Sequence, residues 1–143
     1  MRKQKGFTLI ELVVVVMILG ILAAVAAPKL LNTSSTASDN GLKQTLGVVR
    51  DAIERYAAEH GGALPGDGGT QADLQADLAT YLRGAFPVCP VNGNTSDVEI
   101  STTAGVTTVG GTKSWRYNNA DGTFICNSTA PTKSDAGVGY DEL

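Results

Sequence analysis

The sequence is poor in the side chains that most enzymes use for chemistry. It contains one histidine, His60, which follows Glu59 at the predicted end of a helix, and two cysteines, Cys89 and Cys126. No HExxH, GxSxG or paired-cysteine redox motif accompanies them. We therefore interpret His60 as a surface residue at a helix end, not as a catalytic base, and we expect that the protein is not an enzyme.

Two cysteines that are far apart in the sequence are too few for a zinc site, but they can form a disulfide. After Leu31 large apolar residues are scattered among Gly, Thr, Ser, Asn and Asp, so the soluble domain has a small core that a covalent link would help. A bridge between Cys89 and Cys126 would contribute roughly 4 kcal/mol and would require an oxidising compartment. Two reduced, buried thiols in a cytosolic domain are the alternative.

Basic residues are also scarce. The chain has 11 Lys and Arg against 14 Asp and Glu, which gives a net charge of −3 at pH 7. Three of the basic residues, Arg2, Lys3 and Lys5, lie at the start of the chain. Because nothing forms a basic face, we expect no nucleic-acid partner.

Charge is almost absent from the next part of the chain, where Glu11 is the one charged residue between Phe7 and Ala27. A helix of this length is roughly 31 Å long and can span a membrane, with the basic flank holding the start of the chain in the cytoplasm. A signal peptide cleaved near "AAVAAP" is the alternative. Neither a signal peptide nor a simple anchor explains a carboxylate that the lipid interior opposes by a few kcal/mol.

The stretch "KGFTLIELVVVVMILGILAAVAAP" resembles the N-terminus of type IV pilins and type II secretion pseudopilins. In that family a prepilin peptidase cuts after the glycine of a short basic leader and methylates the new amine. The resemblance implies cleavage between Gly6 and Phe7, methylation of Phe7, and a mature chain whose acidic fifth residue is Glu11.

The resemblance extends to Gly20 and Pro28, where many members have residues that loosen the helix. Pro28 has no N–H to donate and clashes with the preceding turn, so we expect the helix to bend or melt there on packing. The implied organisation is a leader at 1–6, a transmembrane and filament-core helix at 7–30, and a periplasmic or extracellular globular domain at 31–143.

The resemblance also gives Glu11 a partner. Cleavage creates a cationic amine on Phe7, and a neighbouring subunit displaced along a filament can bring that amine to Glu11. Correct stagger is then favoured because a misplaced carboxylate stays unpaired. A Glu11 that merely reaches the lipid headgroups is the alternative.

The function implied by this resemblance is that of a structural subunit of a type II secretion pseudopilus, which supports protein export. The implied partners are other copies in a helical homopolymer, the prepilin peptidase, an inner-membrane assembly platform and minor pseudopilins. The implied location is the bacterial inner membrane before assembly and a periplasmic or cell-surface filament afterwards. A type IV pilus subunit for adhesion, twitching or DNA uptake is the close alternative, and a monomeric membrane-anchored binding domain is a further one.

Beyond the apolar segment, apolar residues at steps of four and three predict an amphipathic helix that ends at Gly61 and Gly62. These residues are Leu42, Leu46, Val49, Ile53 and Tyr56. The same pattern places Asp39 and Lys43 on the solvated side. The family arrangement packs this part of the helix on a small antiparallel sheet, so the expected fold class is α+β.

Three further elements are predicted in the domain. A short helix begins at the cap formed by Thr70 and Asp73 and runs to about Arg83. Alternating residues then predict an irregular hairpin that pairs Val98 and Ile100 with Val106 and Val109. A second hairpin pairs Trp115 and Tyr117 with Phe124 and Cys126 around a turn at 119–122.

No cofactor is expected, with calcium as the one candidate. Major secretion pseudopilins often hold calcium in a C-terminal loop, and this chain has Asp121, Asp135, Asp141 and Glu142 in glycine-rich surroundings. Their spacing does not reproduce a complete binding loop, so solvated turn residues are the default interpretation.

Overall fold

The computed structural model describes residues 6–105 and 108–143, and the side chains of residues 31 and 32 lie outside this description. Leader residues 1–5 and Val106 of the predicted first hairpin are also outside it. The elements are two helices, three strands and a final 3₁₀ turn: α1 (Leu9–Glu59), α2 (Gln71–Leu78), β1 (Val98–Ser101), β2 (Trp115–Asn118), β3 (Phe124–Cys126) and Tyr140–Glu142. This order confirms the predicted α+β class.

The chain divides into two compact units, one ending at Ser35 and one comprising Thr36–Leu143. In the first unit the large apolar side chains of α1 are exposed, from 41% at Val14 to 80% at Leu9. Among the described residues, α1 is the one helix that is long and apolar enough to cross a membrane. A surface this apolar needs lipid or protein to cover it.

In the second unit the predicted apolar stripe of α1 forms one wall of the core. Leu42, Leu46, Val49 and Ile53 are buried with the aromatic side chains of β2 and β3, and Tyr56 packs against them half-buried. The helix ends where the sequence predicts. The N–H of Gly62 donates to the carbonyl of Ala57 at 2.7 Å, as in a Schellman motif, and both Gly61 and Gly62 have positive φ.

The prediction that Asp39 lies on the solvated side of the helix is wrong. Its side chain is 1% exposed, and it accepts hydrogen bonds from the N–H of Ser134 at 2.6 Å and from the hydroxyl of Tyr140 at 3.0 Å. Burial disfavours the ionised carboxyl, but these hydrogen bonds outweigh it and hold the pKa of Asp39 below its usual value. Asp39 therefore fastens the last part of the chain to α1.

Arg50 makes a second link of this kind, eleven residues further along α1. Its guanidinium donates twice to the carbonyl of Phe124, at 3.0 and 2.9 Å, and once to an oxygen of Leu143 at 2.6 Å. The burial of the group lowers its pKa. One acidic and one basic residue of the same helix thus hold the sheet and the chain end.

The second helix forms at the predicted cap but is shorter than predicted. Thr70 accepts from the N–H of Asp73 at its N-terminus, whereas the helix stops at Leu78 instead of running to about Arg83. The N–H groups of Tyr81 and Leu82 both bond to the carbonyl of Leu78, which tightens the chain into a turn. Leu82 still reaches the core, so the apolar pattern continues past the end of the helix.

The second predicted hairpin is confirmed, and the first is wrong. β2 and β3 pair antiparallel, with Trp115 opposite Cys126 and Tyr117 opposite Phe124. β1 instead pairs with β2 in parallel, Val98 opposite Trp115, so the sheet is mixed and not purely antiparallel.

The connection between the parallel strands explains why Val109 is not in a strand. A parallel pair needs a long crossover, and residues 102–114 serve as that crossover here. The buried side chain of Asn127 holds it, donating to the carbonyl of Gly110 at 2.8 Å and accepting from its N–H at 3.0 Å. Lys113 also donates to the carbonyl of Val98 at 3.0 Å.

Candidate functional site

The candidate site lies at the start of α1, where a capping box begins the helix. Thr8 precedes the first helical residue, Leu9, and its hydroxyl oxygen accepts from the N–H of Glu11 at 3.3 Å. In return, one carboxylate oxygen of Glu11, Oε2, accepts from the N–H and the hydroxyl of Thr8, at 2.9 and 2.8 Å. Each residue thus satisfies backbone groups that a helix start leaves unpaired.

This arrangement was available in the sequence and was missed there. "TLIE" has the spacing of a capping box, with Thr at the cap and Glu three residues later. From the sequence alone, Glu11 is given a partner on another subunit, or the lipid headgroups as the alternative, and Thr8 is not considered. In the structure its carboxylate is also the partner of Thr8.

Glu11 lies on an exposed, apolar part of α1. It borders a hollow of about 330 Å³ whose other lining residues are Phe7, Ile10, Val14 and Val15. The walls of the hollow are apolar, and the Glu11 side chain lies at its edge. An apolar group fits the hollow itself, and a cationic group on the same ligand would have to reach the carboxylate beside it.

The predicted cleavage residues lie outside the helix. Gly6 and Phe7 are exposed and non-helical, and the Phe7 side chain is 87% exposed. A side-chain carbon placed on Gly6 would meet nothing within 4 Å. Within the described residues, no packing or backbone geometry requires a glycine at this position.

Gly20 and Pro28 lie inside α1, which continues through both of them. Pro28 cannot donate to the carbonyl of Ala24, so one hydrogen bond of the helix is missing there. Gly20 is surrounded by open space, and an exposed glycine in a helix is about 1 kcal/mol less favourable than alanine. The predicted loosening of the helix at these residues stays a prediction.

The two cysteines are brought together in the core. Cys89 and Cys126 are both fully buried free thiols, and their Sγ atoms lie 3.5 Å apart. The hydrogen bond from Cys126 lowers the pKa of Cys89 to about 7, whereas the same contact and burial raise the pKa of Cys126. The short distance between the two sulfur atoms suits a disulfide, but the bond itself stays a prediction.

Three of the four calcium candidates accept hydrogen bonds from backbone N–H groups of loops and turns. Asp121 accepts from the N–H groups of Gly105 and Thr123, and these bonds lower its pKa. Asp135 accepts from Gly137, and Glu142 from Gly139. Together with Asp141 they form no group of three acidic, histidine or cysteine residues within the described ranges. Calcium binding stays a prediction without a defined site.

His60 occupies the position predicted for it. Its ring stacks on Tyr56 with centroids 3.9 Å apart, and its Nδ1 lies 2.8 Å from the carbonyl of Tyr56. The side chain is exposed at the end of α1. These contacts are local to one helical turn.

The second unit has an open groove beside α1. It has a volume of about 400 Å³ and is formed by α1 and the segment after α2, with lining residues that include Val48, Leu82 and Pro87. Arg55 and Arg83 are exposed at this groove. This groove is one place where the binding-domain alternative would put a ligand.

Comparisons with known proteins match the chain most specifically at its N-terminal part, which includes the start of α1. A family model described as "Prokaryotic N-terminal methylation motif" matches residues 1–27. The chain is 40% identical over 82 residues to prepilin peptidase-dependent protein D of Escherichia coli, covering 57% of this chain and 56% of that protein. It is 32% identical over 87 residues to type II secretion system core protein G of Klebsiella pneumoniae, covering 61% and 62%.

A third relative is matched over most of its length. The chain is 32% identical over 104 residues to the type IV narrow pilus major component PilA5 of Thermus thermophilus, covering 57% of this chain and 90% of that protein. The chain belongs to the type IV pilin and pseudopilin family. It spans only about three fifths of the Escherichia coli and Klebsiella proteins. No solved structure gives a significant match.

Proposed function

We propose that the protein is the structural subunit of a filament, processed by a prepilin peptidase between Gly6 and Phe7 and polymerised through α1. The observation that carries this proposal is Glu11, a carboxylate on the otherwise uncharged, exposed surface of an apolar helix. Membership of the pilin family supports it, since the relatives named above include subunits of a pilus and of a secretion system.

Two glycines support the proposal independently of Glu11. No contact in the described chain requires a glycine at position 6, which fits a residue that is selected because the peptidase recognises it. Gly20 has none either, and it lowers the stability of an exposed helix. A missing side chain in a membrane helix allows another helix to approach closely.

The apolar residues of α1 cannot by themselves explain why subunits leave the membrane. Lipid chains are as apolar as leucine, so transfer from lipid to a helix bundle releases no hydrophobic free energy. Close packing and charge pairing must therefore drive assembly. A pair between Glu11 and the Phe7 amine of another copy is attractive in both lipid and filament, because the low dielectric strengthens it. It also fixes the stagger between copies.

For the system that uses the filament, we propose a type II secretion pseudopilus first. The matches to core protein G support this assignment. A type IV pilus is the second candidate, favoured by the match that covers 90% of a narrow-pilus subunit. Deletion of the gene separates them: loss of protein export supports the pseudopilus, and loss of twitching with export intact supports the pilus.

The assembly proposal is tested with Glu11→Gln, which keeps the shape of the side chain and removes its charge. We expect the variant to be cleaved and inserted but to accumulate in the membrane, while the wild type is recovered in sheared filaments. Asp67→Asn, which changes an exposed acid in the glycine-rich loop, is the matched control. If Glu11→Gln forms filaments as the wild type does, the charge pair is not needed for assembly. If the wild type itself forms no filaments, the monomeric anchored domain regains support.

A further inference from the structure

Thr8 does more in this structure than begin a helix. We infer that it is a positioning residue for assembly: it holds the Glu11 carboxylate so that the second oxygen, Oε1, faces the Phe7 amine of another copy. This inference rests on the proposed function, because it assumes that Glu11 pairs with that amine.

The hydrogen bonds at Glu11 are divided unequally between its two oxygens. Both donors of Thr8, the N–H at 2.9 Å and the hydroxyl at 2.8 Å, reach Oε2. Among the described residues, none donates to Oε1. A carboxylate offers about four lone-pair directions, so an incoming amine can bond to Oε1 without displacing Thr8.

The distances favour orientation of the carboxylate over capping of the backbone as the main role of the hydroxyl. The bond that caps the helix, from the N–H of Glu11 to the Thr8 hydroxyl, is long at 3.3 Å. The bond from the hydroxyl to Oε2 is short at 2.8 Å and has a charged acceptor, which makes it the stronger of the two.

The surroundings of the carboxylate match the ligand that the inference names. A processed N-terminus combines a cationic amine with an aromatic ring. The hollow beside Glu11 has apolar walls from Ile10, Val14 and Val15 that can receive such a ring. An exposed glutamate is otherwise free to adopt many rotamers, and fixing it costs entropy on binding. Thr8 fixes the rotamer before the other copy arrives, which is preorganisation.

The test compares Thr8→Val, which keeps the branched shape without the hydroxyl, with Thr8→Ser, which keeps the hydroxyl. We measure the ratio of filament to membrane-bound subunit, counting only chains whose mass shows cleavage before Phe7. We expect Thr8→Val to lower this ratio about tenfold, in line with loss of one hydrogen bond to a charged group, and Thr8→Ser to restore it. Thr8→Ala is a second hydroxyl-free variant in case the valine slows cleavage.

A double variant separates positioning from helix stability. If Thr8 acts through Glu11, Thr8→Val combined with Glu11→Gln assembles no worse than Glu11→Gln alone. If Thr8 only stabilises the helix, the two losses add, and the inference is wrong. It is also wrong if Thr8→Val assembles normally while Glu11→Gln does not, and that result leaves the proposed function intact. Normal assembly of Glu11→Gln would instead contradict the Glu11–Phe7 charge pair, the part of the proposed function on which this inference rests.

Discussion

Asp39 gives the sharpest test of how the second unit is held together. Its two oxygens accept from Ser134 and from Tyr140, residues about one hundred positions away in the sequence, with an exposed fraction of 1%. Asp39→Asn keeps the size of the side chain but removes its charge. The two charge-assisted hydrogen bonds are then replaced by neutral ones, even if both donors keep their partner. Each such replacement costs about 1 kcal/mol, so the free energy of unfolding should fall by about 2 kcal/mol.

For a unit of this size, that loss corresponds to a fall of about 8 °C in the midpoint of thermal unfolding. The fluorescence of Trp115, the one tryptophan and fully buried, reports unfolding of the full chain in detergent. Asp51→Asn, a change of an exposed acid on the same helix, is the matched control and should leave the midpoint unchanged.

The effect should depend on pH in one direction. The folded chain lowers the pKa of Asp39, so its contribution is complete above the unfolded-state pKa of about 3.9 and is lost as the pH falls through the lower, folded value. The wild type and Asp39→Asn should therefore differ most at neutral pH and converge in acid. An equal midpoint at pH 7, or a difference that persists unchanged in acid, would refute this account of Asp39.

Three further predictions concern the same unit. Arg50→Lys should lower the free energy of unfolding by about 1 to 2 kcal/mol in urea titration, because a lysine cannot reproduce the three hydrogen bonds to Phe124 and Leu143; an unchanged midpoint would contradict their importance. Thr70→Ala should cost about 1 kcal/mol by removing the cap of α2, whereas Thr70→Ser should cost little, as the same titration will show. Protein from an oxidising compartment should resist alkylation at Cys89 and Cys126 until it is unfolded and reduced, and reduction should remove about 4 kcal/mol of stability; alkylation of both cysteines on unfolding without reductant would show that no disulfide forms.

Local patterns in the sequence predicted those elements whose partners are close in the chain. The stripe on α1, the two glycines that end it and the β2–β3 hairpin all depend on residues a few positions apart, and the structure has each of them. The cap at Thr70 belongs to the same group. In each case the spacing itself specifies the geometry.

Predictions failed where the decisive partner is distant. Alternation at Val98 and Ile100 indicates a strand but does not reveal its neighbour, and β2 lies beyond a long crossover in the parallel direction. Asp39 falls three and seven residues before Leu42 and Leu46, on the apolar stripe, yet only Ser134 and Tyr140 make its burial tolerable. A pattern in one helix cannot show those donors.

The candidate site was predicted in part. Glu11 could be identified from the sequence, because it is the one charged residue in the apolar segment from Phe7 to Ala27 and a charge there is unfavourable unless it has a partner. The contact between Thr8 and Glu11 could also be predicted from the sequence, but only if the spacing of a capping box is recognised at the start of the helix. In the proposed assembly the partner amine belongs to another copy, so one chain cannot contain the complete contact.

The central claim is that the chain is processed to expose the amine of Phe7 and assembles through it. Mass spectrometry of the protein recovered from its native host tests this most directly. The account predicts a mature chain that begins at methylated Phe7 and is present in filaments. A chain that begins after Ala27 would contradict it, because the apolar segment would then have been removed as a signal peptide.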